Sequence, residues 1–210
     1  MAHPKQLGFS LVEMLVATLL FSTLTAGVLG VVSNTYRRYT NERAGQDLTW
    51  QGRAAVDLMV RELRQAGYPA ENTYSAAASI TSSNSNLVAT TFVVAASTQV
   101  IFEADVDGSG TAKRVEYRLS GTTLQRSAVT KNSDGTVPAA QYDNLATNVN
   151  NGAAAIFTYT TDPQSTLAAP GNTMCVQIAL PLKSAIPDPK NGRYLTVNFQ
   201  GLACRQNPDH

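Results

Sequence analysis

With 210 residues and 43% of them hydrophobic, the chain is long enough for one modest globular domain plus an appended apolar segment. Its formal net charge is +1 and charged residues make up only 15%, which argues against a basic nucleic-acid-binding surface. Thr, Ser, Asn and Gln are plentiful beyond residue 72, a weakly charged polar composition common outside the cytoplasm, and no internal repeat is visible.

The first element is apolar. Between Phe9 and Val32 the sole charge is Glu13, and Met14 to Val32 are 19 uncharged residues. As a helix they span ~29 Å at 1.5 Å per residue, close to the ~30 Å hydrocarbon core of a bilayer. A carboxylate this far into such a segment costs ~2.5–3.5 kcal/mol on insertion scales, so Glu13 reads as functional. The bland reading is a plain anchor whose Glu13 lies near the headgroups. A secretory signal would use Lys5 as its n-region and Leu24-Thr25-Ala26-Gly27 as a poor cleavage site, but the run is too long for an h-region and Glu13 stays unexplained.

Gly8 followed by Phe9-Ser10-Leu11-Val12-Glu13 resembles the cleavage and methylation signature of type IV prepilins and pseudopilins. The resemblance implies a leader of residues 1–8, cut by a prepilin peptidase at Gly8–Phe9, and N-methylation of Phe9. It also implies that Glu13 neutralises the N-terminal ammonium of a neighbouring subunit as helices bundle in a filament. A buried amine and a buried carboxylate are each costly alone and tolerable as a pair, which agrees. Arg37 and Arg38 follow the span while Lys5 alone precedes it, so loop charge by itself favours the opposite orientation. The prepilin motif sets the orientation adopted here.

Beyond the span the helix is expected to continue through residues 33–68. Leu48, Ala55, Leu58, Met59 and Leu63 approximate one helical stripe, and Arg43/Asp47, Arg53/Asp57 and Asp57/Arg61 are i,i+4 pairs. Gly67-Tyr68-Pro69 ends it, Gly as C-cap and Pro as a residue that cannot continue. A helix from Phe9 to Ala66 would measure ~87 Å, a length suited to a membrane-anchored or filament-forming element. Residues 52–68, with Arg53, Asp57-Leu58, Arg61-Glu62-Leu63-Arg64 and Ala66-Gly67-Tyr68, resemble the second signature of PilW-type minor pilins. GspJ-type pseudopilins share the Arg-acid-Leu-Arg step. Taken one at a time, these arginines read as a solvated helix face.

Residues 70–86, rich in Ala, Ser, Asn and Thr, read as a loop. From Leu87 the period becomes two. Strands are expected at Val88–Val94, Gln99–Ala104, Val115–Leu119, Thr123–Ser127, Ala155–Thr160, Met174–Ile178 and Leu195–Phe199, separated by turns such as Asp107-Gly108, Ser120-Gly121 and Asn132-Ser133-Asp134-Gly135. No helical pattern interrupts them, which predicts an α+β, pilin-like fold: a long N-terminal helix, transmembrane over residues 9–32, packed on an antiparallel sheet domain of residues 69–210. A register placing Cys175 opposite Cys204 also sets Leu180 against Phe199 and Leu182 against Val197, and in an oxidising periplasm that predicts a disulfide. Many pilins carry a similar C-terminal disulfide loop. Two free buried thiols are the alternative.

Asp105, Asp107, Ser109, Gly110 and Glu116 fit the spacing of a calcium loop, with hard oxygen donors at alternating positions. The flanks read as strands, however, and Asp107-Gly108 also makes an ordinary hairpin turn, which is the favoured reading. Otherwise no cofactor is expected. The only histidines are His3 and His210, and no Ser-His-Asp or Cys-His set, phosphate-binding Gly loop or zinc spacing is present, so the chain does not read as an enzyme and no small-molecule substrate is expected. The expected partners are a prepilin peptidase, other minor pilins and a major pilin, and the inner membrane, with the globular domain periplasmic and later on the pilus at the cell surface; no nucleic acid is expected. The alternatives are a GspJ-like pseudopilin of a type II secretion system and a membrane-tethered periplasmic binding domain that never polymerises.

Overall fold

The computed structural model describes residues 10–70, 84–188 and 191–206. The expected leader, Phe9 and most of the expected loop at 70–86 lie outside them. A single long helix, α1 (Leu11–Leu63), precedes β1 (Phe92–Ala96), β2 (Gln99–Ala104), β3 (Lys113–Ser120), β4 (Thr123–Thr130), β5 (Asp143–Ala146), β6 (Phe157–Thr161), β7 (Thr173–Lys183) and β8 (Thr196–Cys204). This is the α+β, pilin-like arrangement of one long apolar N-terminal helix followed by antiparallel sheet. The chain divides into two compact units, to Ala44 and from Gly45, and α1 contributes to both.

In the second unit α1 ends a turn earlier than Ala66. Gln65 N–H donates to Glu62 O and Ala66 N–H to Leu63 O, three-residue bonds that tighten the last turn. Gly67 then turns the chain at φ +84° and its N–H donates to Glu103 O of β2 at 2.9 Å. A side chain at Gly67 would meet Thr91 at 2.8 Å, so glycine is required there for both its angle and its size. The apolar stripe is Leu48, Ala55, Val56, Met59 and Leu63; Val56 is buried and Leu58 is only half-buried, correcting the expected stripe by one position.

The strands form two sheets where one was expected. β1 to β5 make a five-stranded sheet in sequence order, and β6 to β8 a three-stranded one. Strand periodicity reports burial and not partnership, so the split had no signal. β5 is the strand not anticipated; Asp143-Asn144-Leu145-Ala146 is short, polar and without alternation. Among the described residues, backbone hydrogen bonds join the sheets at two places. Ser97 O, in the β1–β2 turn, accepts from Ile156 and Phe157 N–H at 2.8 and 3.0 Å. Residues after β5 reach β7, where Asn150 N–H donates to Pro181 O and Lys183 N–H to Asn148 O. Pro181 therefore sits in an interior strand where its missing donor falls in the gap between β6 and this second joint.

Both sheets meet α1 through a core that includes Phe102, Tyr117, Leu124, Ile178, Leu180 and Leu182. The helix and β8 approach each other closely. A Cβ on Gly201 would lie 2.6 Å from Val56 and 2.8 Å from Val60, and one on Gly52 would lie 2.2 Å from the Phe199 ring. Two charged clusters lie inside. Glu62 of α1, 3% exposed, accepts from Arg126 Nη2 at 2.6 Å and Nε at 3.0 Å and from the Tyr117 hydroxyl. Burial first, then the Glu62 charge, pushes the Tyr117 phenol far above its usual range. Glu103, 1% exposed, takes Lys131 at 2.8 Å, Arg114 at 3.0 Å and the Thr90 N–H at 2.9 Å.

Removing one partner of a buried charge pair leaves the other uncompensated, at ~3–5 kcal/mol. Glu62→Ala, which strands Arg126 and Tyr117, is expected to lower unfolding stability by that amount in a denaturant titration of the detergent-solubilised protein. The acid limb is set in part by Glu103. Burial alone would raise its pKa, but Lys131, the Thr90 N–H and Arg114 together hold it below the ordinary 4.5. A carboxylate with a depressed folded pKa contributes fully above its unfolded value, and that contribution is lost as pH falls through the folded one. Stability measured against pH should decline below about 4.5, with a shallower decline in Glu103→Gln.

Candidate functional site

The first unit carries the candidate site. Gly8 and Phe9, the expected cleavage and methylation positions, lie outside the described residues, which begin at Ser10. Ser10 and Glu13 stand at the N-cap and third positions of α1, the spacing Ser-x-x-Glu of a capping box. Glu13 Oε2 accepts from the Ser10 N–H at 3.0 Å. A carboxylate in the first turn also faces the positive end of the helix dipole. Glu13 therefore has work within its own chain that the sequence reading overlooked, although Ser10-Leu11-Val12-Glu13 displays the motif.

From Leu11 to Tyr39 every residue is exposed, including Leu15, Leu19, Leu20, Phe21, Leu24, Leu29 and Val31. By length and composition α1 is long and apolar enough to cross a membrane. Its hydroxyls are internally satisfied. Thr18, Ser22 and Thr23 donate to the carbonyls three residues back, and Thr25 to Phe21 O at 2.7 Å. These are all the Ser and Thr residues between Met14 and Val32. An unbonded hydroxyl in an apolar medium costs several kcal/mol, and bonding back to the helix removes that penalty. The span can thus enter lipid or a helix bundle with no polar side-chain group left unbonded.

In the second unit Cys175 and Cys204 form a disulfide across β7 and β8. The register pairs Cys175 with Cys204, Leu180 with Phe199 and Leu182 with Val197. Of the calcium candidates, Asp105, Asp107 and Ser109 lie together in one turn, and Glu116 stands apart on β3. Asp105 accepts from the Ser109 and Gly110 N–H groups at 2.9 and 2.8 Å, making a closed turn. Asp107 pairs with Lys113, whose hydrogen bond holds its pKa down at about 2. Glu116 accepts from Gln99 Nε2 at 2.8 Å and stands three ladder positions beyond the Ala104–Lys113 pair, ~10 Å along the strand at ~3.3 Å per residue. Among the described residues no group of three or more His, Cys, Asp or Glu side chains is placed to hold a metal ion.

The second signature resolves into parts. Arg53, Arg61 and Arg64 are exposed, a solvated face as each was read individually. Glu62 between them is the buried anchor, and Leu63, Ala66 and Gly67 are buried behind it.

Residues 3–29 match the family model for the prokaryotic N-terminal methylation motif. That match, on a segment ending within the apolar span, supports a type IV pilin-like protein processed by a prepilin peptidase and fits an inner-membrane anchor. No curated protein matches the chain.

The disulfide closes a loop with a sequence separation of 29 residues, worth ~3–4 kcal/mol in the chain-entropy account. Cys175→Ser is expected to shift the unfolding midpoint down by that equivalent, and reductant should do the same to the unaltered protein while leaving the variant unchanged.

Proposed function

We propose that this chain is a minor pilin of the PilW type, which joins other minor pilins in a complex that primes or caps type IV pilus assembly. The observation that carries this reading is the methylation motif over residues 3–29. The exposed, internally satisfied apolar span supports it, because such a helix needs either lipid or other helices around it. Anchored in the inner membrane as a single pass, the chain holds its β domain in the periplasm until assembly moves it to the pilus. In this reading the chain is not an enzyme; the chemistry is done to it, at Gly8–Phe9, by the peptidase. The helix supplies subunit contacts and the β domain supplies partner choice. Ala66-Gly67-Tyr68 leans toward PilW, whereas Arg61-Glu62-Leu63-Arg64 is shared with GspJ-type pseudopilins of type II secretion, the second reading in the same class.

Intact mass and N-terminal sequencing of the membrane protein, with and without prepilin peptidase, test the reading first. A start at Phe9 bearing one added methyl group, only when the peptidase is present, is expected. A start at Met1, or cleavage near Gly27, would sink the filament reading and leave a tethered binding domain. Glu13 has two candidate tasks that Gln separates, since Gln keeps the capping box and loses the charge. Glu13→Gln is expected to retain processing yet lose incorporation into filaments by about tenfold, ~1.4 kcal/mol of assembly free energy. Incorporation at the unaltered level would confine Glu13 to capping.

A further inference from the structure

We infer that the outer edge of β8 receives an extended strand from a neighbouring, different pilin-type subunit, an inference that rests on the filament reading above. Among the described residues β8 is the last strand of its sheet. Arg205 N–H donates to Met174 O and Ser184 N–H to Leu195 O, so the odd-numbered residues of this ladder face β7. The even-numbered ones, Thr196, Asn198, Gln200, Leu202 and Cys204, turn their N–H and C=O groups outward. The 4.0 Å Cα separation of Cys175 and Cys204 agrees, because the narrow pairs of an antiparallel ladder are the ones not bonded to each other.

Natural edge strands are normally blunted by charge, proline, bulges or shortness. The other outer strands here follow that rule. β1 has a register shift between Phe92 and Val94, β5 is four residues long and shifted against β4, and β6 is shifted between Thr160 and Thr161. β6 is also held against the β1–β2 turn by Ser97 O. β8 has none of these devices. It runs nine pairs against β7 without a shift, and Thr196 to Cys204 contains no charge and no proline. Leu202 is 57% exposed on its outer face.

A second feature lies at the same place. Where β8 runs out, Gln206 N–H donates to Arg64 O at 3.1 Å, and Asp57, Val60, Arg61, Arg64, Gln65 and Gln206 line a cavity of about 530 Å³. Gln65 Oε1 is buried with no hydrogen-bond partner among the described residues. Neither Arg61 nor Arg64 joins an ion pair among the described residues. The occupant that fits is an extended, mostly uncharged segment that bonds to the outward groups of β8 and sets a carboxylate near Arg61 and Arg64. Two copies joined β8 to β8 would form a closed two-fold pair with their helices pointing in opposite senses. Subunits of one filament point the same way, which excludes that pair, and a chain that joins other minor pilins, as proposed above, meets a different subunit at this edge.

The test uses the full-length chain in cells that make the filament. Gln200→Pro removes one outward N–H and no bond to β7, a place where an edge strand tolerates proline. Gln200→Lys keeps the N–H and adds the charge that other edges use; it decides the matter should the proline variant fail to accumulate. Disulfide oxidation and amount in the membrane report folding, and Phe9 at the N-terminus reports processing. The expected result is about tenfold less incorporation of either variant into sheared filaments, with folding and processing unchanged. Slower hydrogen exchange over residues 196–204 is expected in filaments than in the solubilised subunit. Equal incorporation of the folded variants, or photo-crosslinks from position 202 that join only two copies of this chain, would overturn the inference. If the unaltered chain is not cut at Gly8–Phe9, the filament reading itself fails; if it is cut and incorporated while the variants match it, only the β8 edge is wrong.

Discussion

The Glu62 carboxylate, bonded by both nitrogens of the Arg126 fork and by the Tyr117 hydroxyl, determines where α1 crosses the five-stranded sheet. A buried carboxylate has few acceptable arrangements, because each oxygen needs a donor and the charge needs a partner. Apolar packing alone would let the helix slide by a turn at modest cost; the charged cluster does not. Once α1 is held there, Gly52 and Gly201 can bring it close to β8 where a larger residue would force it away. The last turn then delivers Gly67 to the Glu103 carbonyl, so the chain enters β1 and β2 beside the second charged cluster.

The same constraint explains which parts of the fold could be read beforehand. β2 has the bounds that alternation suggested, and the β7–β8 register followed from two requirements that agreed, apolar faces inward and thiols opposite. Gly67 marked the helix end because its backbone angle suits few other residues. Glu62 was invisible as an anchor. On a helix flanked by Arg61 and Arg64 it resembles one more member of a surface charge pattern, and its partners lie 55 and 64 residues away in sequence. Local pattern carries no information about contacts at that separation. β5 escaped for a related reason, since its pairing with β4 and not its composition makes it a strand.

At the N-terminus the sequence was more informative about chemistry than about mechanics. The order of Gly8, Phe9 and Glu13 before an apolar span pointed to a processed and methylated end, a motif that the family match over residues 3–29 carries independently. What geometry adds is that the span is prepared for an apolar surrounding. Thr18, Ser22, Thr23 and Thr25 look like polar interruptions in the sequence, yet each hydroxyl turns back onto the helix and satisfies a carbonyl. Glu13 likewise has a local partner in the Ser10 N–H. A carboxylate already shared with its own backbone can be recruited by a neighbouring ammonium only if that pairing gains more than the cap loses. An ionised pair in apolar surroundings exceeds a single charge-to-amide bond when both charges would otherwise be left bare.

In the proposed function, that exchange gives the two units complementary tasks. An apolar helix with one charge attracts other helices of its kind but discriminates poorly among them, because apolar side chains pack in many registers. Discrimination has to come from groups with direction. The backbone groups of a strand edge are directional, and the placement of Arg61 and Arg64 beside the end of β8 adds a charge requirement to them. Leaving such an edge uncharged carries an aggregation hazard for a free subunit. A chain held in a membrane by its first helix meets few partners in the wrong orientation, so tethering lowers that hazard while the edge stays available. In this view the long helix supplies most of the adhesion, and the sheet edge decides which neighbour stands beside it.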